Sequence, residues 1–267
     1  MEPLFNFTST PIFQGTSFWD LFFLELLYFV AYTIKGFFGI GALPLILLLS
    51  VWVLEPHHAV LLGMLILMYN HVMFLPEAFR HGDWRLCGLL SIGYIPTVVF
   101  GVWVFGRLEH SWLGLILGIL LICVILADVI IPEQRIRSIS GRFPRLGAIT
   151  MAAIGGTLNG IVGAGNLIFL SLYLKTVFKE ARRFRATLFL ISILMGLWRL
   201  FVQCTQGMIT ASLFWESLIL APAAFLGSYL GIRLFTSMPS DNYFKAFRVI
   251  LIFLAVSIIL RYLISAL

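Results

Sequence analysis

The feature that most constrains this chain is a short stretch, Lys35-Gly36-Phe37-Phe38-Gly39-Ile40-Gly41-Ala42-Leu43-Pro44, that breaks a long apolar run and then comes again. Moving 124 positions on, Asn159-Gly160-Ile161-Val162-Gly163-Ala164-Gly165-Asn166-Leu167 sets glycine opposite Gly36, Gly39 and Gly41, and Thr157 opposite Thr33. With two more residues in the second copy, Ser91, Pro96, Gly101, Arg107 and Leu108 match Ser217, Pro222, Gly227, Arg233 and Leu234. The chain is an internal duplication.

Hydrophobic residues make up 61% of the 267 positions and charged residues only 11%, against roughly 25% charged in a soluble domain. Such a chain cannot cover a water-facing surface with polar groups. Its apolar runs approach the roughly 20 residues that a helix needs to cross a bilayer, and they do not alternate as barrel strands do. The expectation is an all-α polytopic membrane protein. The first basic residue is Lys35, so no secretory leader with a basic start is expected, and residues 1–17 read as an extracytoplasmic lead-in. The cysteines Cys87, Cys123 and Cys204 are odd in number and widely spaced, which argues against a disulfide or metal framework.

Apolar run length and Gly, Pro and charge breaks give spans of 18–36, 42–54, 57–78, 86–106 and 111–131, then 147–162, 165–178, 186–204, 211–232 and 246–262. Fourteen of the 18 Lys and Arg residues fall in the loops 79–85, 132–146, 175–185 and 233–248, which places those loops in the cytoplasm. The net charge of +6 is thereby an orientation signal, with lipid headgroups as a minor contact, and not a sign of a nucleic-acid partner. Loops 132–146 and 175–185 then lie on one side with only the second Gly-interrupted stretch between them, so that stretch enters and returns. Each half becomes a Gly-rich helical hairpin plus three crossings. An odd number of crossings inverts the second copy: a first repeat 18–131, a cytoplasmic linker 132–146 and a second repeat 147–264, with both termini extracytoplasmic. The leg 42–54 spans about 20 Å and looks short for a core of about 30 Å.

A Gly-rich break at membrane depth must be buried in protein or line a wet cavity, because bare backbone groups are too costly in lipid. A new helix begins at each tip, near Ala42 and Asn166, and a helix start presents unpaired N–H groups and the positive dipole end. Two inverted hairpins meeting near the midplane would form an anion site of the kind found in inverted-repeat transporters. The plain alternative is that the glycines only allow close helix packing. A nucleotide-binding role is excluded, since neither stretch follows a strand in a βαβ unit.

These residues resemble the TauE/SafE-type sulfite and sulfonate exporters, formerly a membrane family of unknown function, over about residues 20–262. The resemblance rests on the tips Gly39-Ile40-Gly41 with Pro44 and Gly163-Ala164-Gly165, and on Pro96 to Gly101 and Pro222 to Gly227. Family tips usually read G-x-G-G-G, where this chain has Ala42 and Asn166 at the third glycine and Ile168 at a second proline. What the resemblance implies is export of a small sulfur-containing anion such as sulfite or sulfoacetate across the cytoplasmic membrane, without a cofactor.

The residues expected at the substrate are Lys35, Gly39, Gly41, Asn70, His71, Asn159, Gly163, Gly165, Asn166 and Arg199. Lys35 and Arg199 are the two basic residues inside apolar spans, where an unpaired cation costs about 2.5–3.5 kcal/mol on insertion scales. The alternatives are an ion pair of Lys35 with Glu25, or snorkelling of either side chain to an interface. Asn70, His71, Asn159 and Asn166 offer neutral donors, or else helix-to-helix hydrogen bonds. His57 and His58 read as an interfacial turn and not a metal site, Asp128 as reaching water, and Trp198 and Tyr69 as walls of a pocket.

Three other classes fit the residues less well. An intramembrane enzyme lacks any H-E-x-x-H or G-x-S-x-G pattern. A non-transporting regulatory partner would leave Lys35 and Arg199 without a role. A cation transporter is at odds with the scarcity of mid-membrane Asp and Glu. A homodimer is the oligomer expected from the habits of such transporters.

Overall fold

The computed structural model describes residues 13, 16–39, 42–50, 52–109, 119, 144–163, 166–236, 246 and 249. Expected spans 111–131 and 246–262 apart from residues 119, 246 and 249, together with Asp128, Cys123, Gly41, Gly165 and most of the linker 132–146 and lead-in 1–17, lie outside the described residues. Among the described residues the ordered elements are all helical: α1 Phe18–Phe38, α2 Ala42–Ser50, α3 Pro56–Asn70, a 3₁₀ turn His71–Phe74, α4 Leu75–His81, α5 Trp84–Phe105, α6 Pro144–Val162, α7 Asn166–Val177, α8 Ala181–Thr205 and α9 Ala211–Thr236. Five stretches are long and apolar enough to cross a membrane: α1, Pro56–His81, α5, α8 and α9.

The helices turn their apolar faces outward. On α1, Phe22, Leu26 and Val30 recur every four residues and are exposed, while Tyr28, Tyr32 and Lys35 are buried on the opposite face. Leu218, Leu226 and Leu230 do the same on α9. A soluble protein buries such side chains and exposes its charges, so this inversion is the signature of a lipid-facing surface.

Both expected hairpins form, each with one long and one short leg. Helix α1 has 21 residues and α2 nine; α6 has 19 and α7 twelve. At 1.5 Å per residue the short legs are about 14 and 18 Å long, well under the hydrocarbon thickness. The long legs end alike. Gly39 takes φ +85° and Gly163 φ +80°, and their N–H groups donate to the carbonyls of Lys35 and Asn159 at 2.7 and 2.8 Å. Only glycine adopts this left-handed cap without penalty, so residues 124 positions apart perform the same local task.

The long legs pack on the helices of the other half, α1 on α9 and α6 on α5. Glycine faces glycine at each crossing. A Cβ on Gly36 would lie 2.5 Å from the Ser228 carbonyl oxygen and 3.1 Å from Gly231 Cα; one on Gly160 would lie 2.6 Å from Gly101 Cα. Backbones this close are the usual means of helix association in lipid. By these contacts the counterpart of Gly101 is Gly231, one turn beyond the Gly227 that sequence matching selects.

The expected span over 57–78 lies within Pro56–His81, one stretch long and apolar enough to cross, and it holds a local irregularity that the sequence reading did not include. The helix breaks at His71–Phe74, because Pro76 has no N–H and its ring would strike the carbonyl of Val72 four residues earlier. The break leaves Asn70 and His71 at a helix end in the interior, both buried.

Candidate functional site: a buried cationic interior

Lys35 stands in the last turn of α1 and is 2% exposed. Its Nζ donates to Asn70 Oδ1 at 2.9 Å and sits 4.8 and 5.2 Å from the ring centroids of Phe74 and Tyr32. It neither snorkels nor pairs with Glu25, so both alternatives from the sequence fall. The side chain that meets it is fully engaged: Asn70 Oδ1 also accepts from Ser228 Oγ at 3.0 Å, and Asn70 Nδ2 donates to the Ala224 carbonyl at 3.2 Å. One asparagine thus ties α1, α3 and α9 together around an ammonium group. The neighbouring His71 bonds Ser192 Oγ of α8 through Nε2 at 2.9 Å and lies within electrostatic reach of Lys35. Its Nδ1, and the hydroxyls of Tyr28 and Tyr32, have no hydrogen-bond partner. No carboxylate pairs with Lys35 among the described residues. An ammonium held by a neutral amide and two rings in a low-dielectric interior is short of negative charge.

The second tip is built differently. Asn159, which matches Lys35, donates from Nδ2 to Tyr94 Oη at 2.5 Å, and Tyr94 Oη donates to the Met195 carbonyl at 3.3 Å. The cation comes from α8 instead. Arg199 is wholly buried and lies against the tip: a Cβ on Gly163 would be 2.8 Å from Nη1 and 3.1 Å from Nη2. Snorkelling toward an interface is therefore excluded for Arg199 as well. Asn166 opens α7 at this tip; its side chain lies outside the described residues.

The two capping glycines contact different parts of α8. Gly39 packs on Arg185 and Leu188, near the start of α8, whereas Gly163 packs on Arg199. Fourteen residues of α8 separate those contacts, about 21 Å of helix rise. The tip residues 40–41 and 164–165, on which the expected meeting near the midplane rests, lie outside the described residues. Lys35, Asn70 and His71 gather in one group, and Asn159, Gly163 and Arg199 in another.

Arg185 is the residue that the sequence misplaced. It counted among the loop charges of 175–185, yet it lies inside α8 and is 1% exposed. Its Nη2 donates to the Gly36 carbonyl at 2.5 Å, its Nη1 meets Glu77 Oε1 at 3.2 Å, and the guanidinium stacks 3.9 Å from the Phe235 ring centroid. It fixes the first tip. Outside it opens a vestibule of about 520 Å³ whose lining includes Glu77, Arg80, His81, Arg182 and Arg185. At the other end of the bundle His58 pairs with Glu216, and Glu216 Oε1 accepts from the Phe13 N–H at 2.9 Å. His57 Nε2 bonds the Phe105 carbonyl at 3.1 Å, so these two histidines serve as helix-end contacts. No group of three metal-ligating side chains occurs among the described residues. Tyr69 Oη accepts from Ser217 Oγ at 3.2 Å, and Trp198 lines an apolar groove of about 500 Å³ with Tyr94 and Met195.

An apolar exterior around an interior that buries Lys35, Arg185 and Arg199 defines a helical integral membrane protein. The chain matches the family model described as "Sulfite exporter TauE/SafE" over residues 24–258. It belongs to the TauE/SafE family, whose members are exporters and not enzymes. It is 27% identical over 173 residues to the "Probable sulfite/organosulfonate exporter TauE" of Cupriavidus necator, covering 63% of this chain and 65% of that protein. It is 26% identical over 175 residues to the "Probable inner membrane transporter protein TsaS" of Comamonas testosteroni, covering 65% of this chain and 71% of that protein. The match thus spans just under two thirds of the first relative's length. No solved structure matches.

Proposed function

We propose that this protein is a secondary transporter that exports a small sulfur-containing anion, sulfite or an organosulfonate, across the cytoplasmic membrane by alternating access between two inverted halves. The observation that carries the reading is the burial of Lys35 at a hairpin tip with only Asn70 to accept from it. A bound oxyanion would neutralise this ammonium and accept from the His71, Tyr28 and Tyr32 groups around it. The exchanged packing of α1 on α9 and α6 on α5, with matched glycines at each crossing, supports the inverted-repeat reading. Arg80, Arg182 and Arg185 at the vestibule favour a cytoplasmic mouth there. With the cell interior negative, outward movement of one negative charge gains about 2.3 kcal/mol per 100 mV, so export needs no ATP.

The test is efflux of sulfite, sulfoacetate, taurine and a carboxylate of similar size from proteoliposomes, at zero and at inside-negative potential. Saturable efflux of a sulfur anion, faster at negative potential, is the expected result. Preference for the carboxylate would reassign the substrate. No flux above empty liposomes from folded protein would overturn the transport reading.

A further inference from the structure

Helix α8 carries a buried polar stripe at seven-residue spacing: Arg185, Ser192 and Arg199, followed by Gln203. Seven residues are nearly two full turns, so these side chains share one face at steps of about 10 Å. Each rung has a different neighbourhood. Arg185 holds the vestibule and the Gly36 carbonyl. Ser192 belongs to the Lys35 group through His71. Arg199 belongs to neither.

The Arg199 rung is short of partners. Among the described residues its Nη1 faces only the Met64 sulfur at 3.7 Å, and its Nε and Nη2 have no acceptor. Gln203 lies one turn on, wholly buried, with both amide atoms unpartnered. Residues four apart share one helix face, so Gln203 and Arg199 present buried polar groups on the same side of α8. The Tyr94 hydroxyl is within electrostatic reach of the guanidinium, and the same hydroxyl accepts from Asn159. A planar fork of donors with an adjacent amide fits a compact oxyanion held through two of its oxygens. The left-handed Gly163 lets the guanidinium lie against the tip, since a Cβ there would press on both of its terminal nitrogens.

We infer that the interior holds two anion sites in series, and that Arg199 with Gln203 forms the second, a site for a sulfite-like or sulfonate oxyanion about 10 Å along α8 from the Lys35 group. The inference rests on the transport reading and deepens it: an anion coming from the vestibule passes Lys35 and then Arg199. Two weaker sites release their cargo more readily than one deep site.

The experiment is sulfite binding to the full chain in lipid nanodiscs by titration calorimetry, for wild type, Lys35→Met, Arg199→Met, Gln203→Leu and the Lys35/Arg199 double variant. Methionine is close in length and replaces an unpaired buried charge, so each fold is expected to survive; thermal melts check this. Two sulfites per chain in wild type, one in each single methionine variant and none in the double variant is the expected pattern. Gln203→Leu should weaken one of the two sites about tenfold and leave the other unchanged. One sulfite per chain in wild type, lost in Lys35→Met and kept in Arg199→Met, would overturn the second site and leave the transport reading standing. No binding to wild type by sulfite or by ethanesulfonate would overturn both.

Discussion

The two hairpin tips share a frame and differ in their charge. Both end a long leg on a left-handed glycine bonded to the carbonyl four residues back, at Lys35 and at Asn159. At the first tip the hairpin itself brings the cation, and Asn70 at the broken end of α3 receives it. At the second tip the hairpin brings an amide and the neighbouring α8 brings Arg199. Positions 124 to 126 beyond Asn70 are Leu194, Met195 and Gly196, so the second half has no counterpart of the receiving asparagine. The two stretches share what the backbone needs, glycine and close helix approach. Their ionisable groups differ, so the two tips offer different polar surroundings.

Exchange of the tip residues should break the comparison most sharply. Lys35→Asn makes the first tip resemble the second and should cut sulfite efflux about a hundredfold, or about 2.7 kcal/mol of barrier. Adding Asn159→Lys should not restore it, because a lysine there finds Arg199 and no asparagine; recovery of flux would show the tips to be interchangeable. Arg185→Met should come next. It strips the Gly36 carbonyl and Glu77 of a charged donor and should cost about 3 kcal/mol, read as a lower melting temperature in detergent. An unchanged melt would mean that the first tip is held by packing alone.

Smaller effects sharpen the shared part of the frame. Gly36→Ala and Gly160→Ala each push a Cβ into backbone of the facing helix and should cost about 2 kcal/mol apiece, within a factor of two of one another. A large difference between them would argue against equivalent crossings. Far from both tips, Asp83 caps α5 by accepting from the Leu86 N–H at 3.0 Å. Asp83→Ala should cost about 1 kcal/mol and leave efflux per folded molecule unaltered.

Much of this frame was legible in the sequence, because composition, glycine spacing and buried charge act locally. The membrane class, the glycine ends of the two long legs and the interior placement of Lys35, Asn70, His71 and Arg199 followed from the order of residues. Arg185 did not, since a guanidinium beside Arg182 and Arg183 reads as a loop charge until the Gly36 carbonyl and Glu77 come to meet it. Ser192, Ser228 and Gln203 were invisible for a similar reason: a single small or polar residue in an apolar helix gives no sign of what faces it. Pro76 was the missed local signal. It breaks a helix that hydrophobicity reads as continuous and so presents Asn70 to Lys35. That Gly39 meets Arg185 and Gly163 meets Arg199 was beyond reach, because it depends on how deeply each helix seats against α8.

The most direct test of the central claim is sulfite efflux and thermal melting measured together on Lys35→Met in proteoliposomes. If the buried ammonium exists to meet an anion, efflux falls at least tenfold while the melting temperature holds or rises, since an ill-paired buried charge has been replaced by an apolar chain. Undiminished efflux, or a melting temperature that falls in step with the flux, would show Lys35 to be a structural group and would contradict the account.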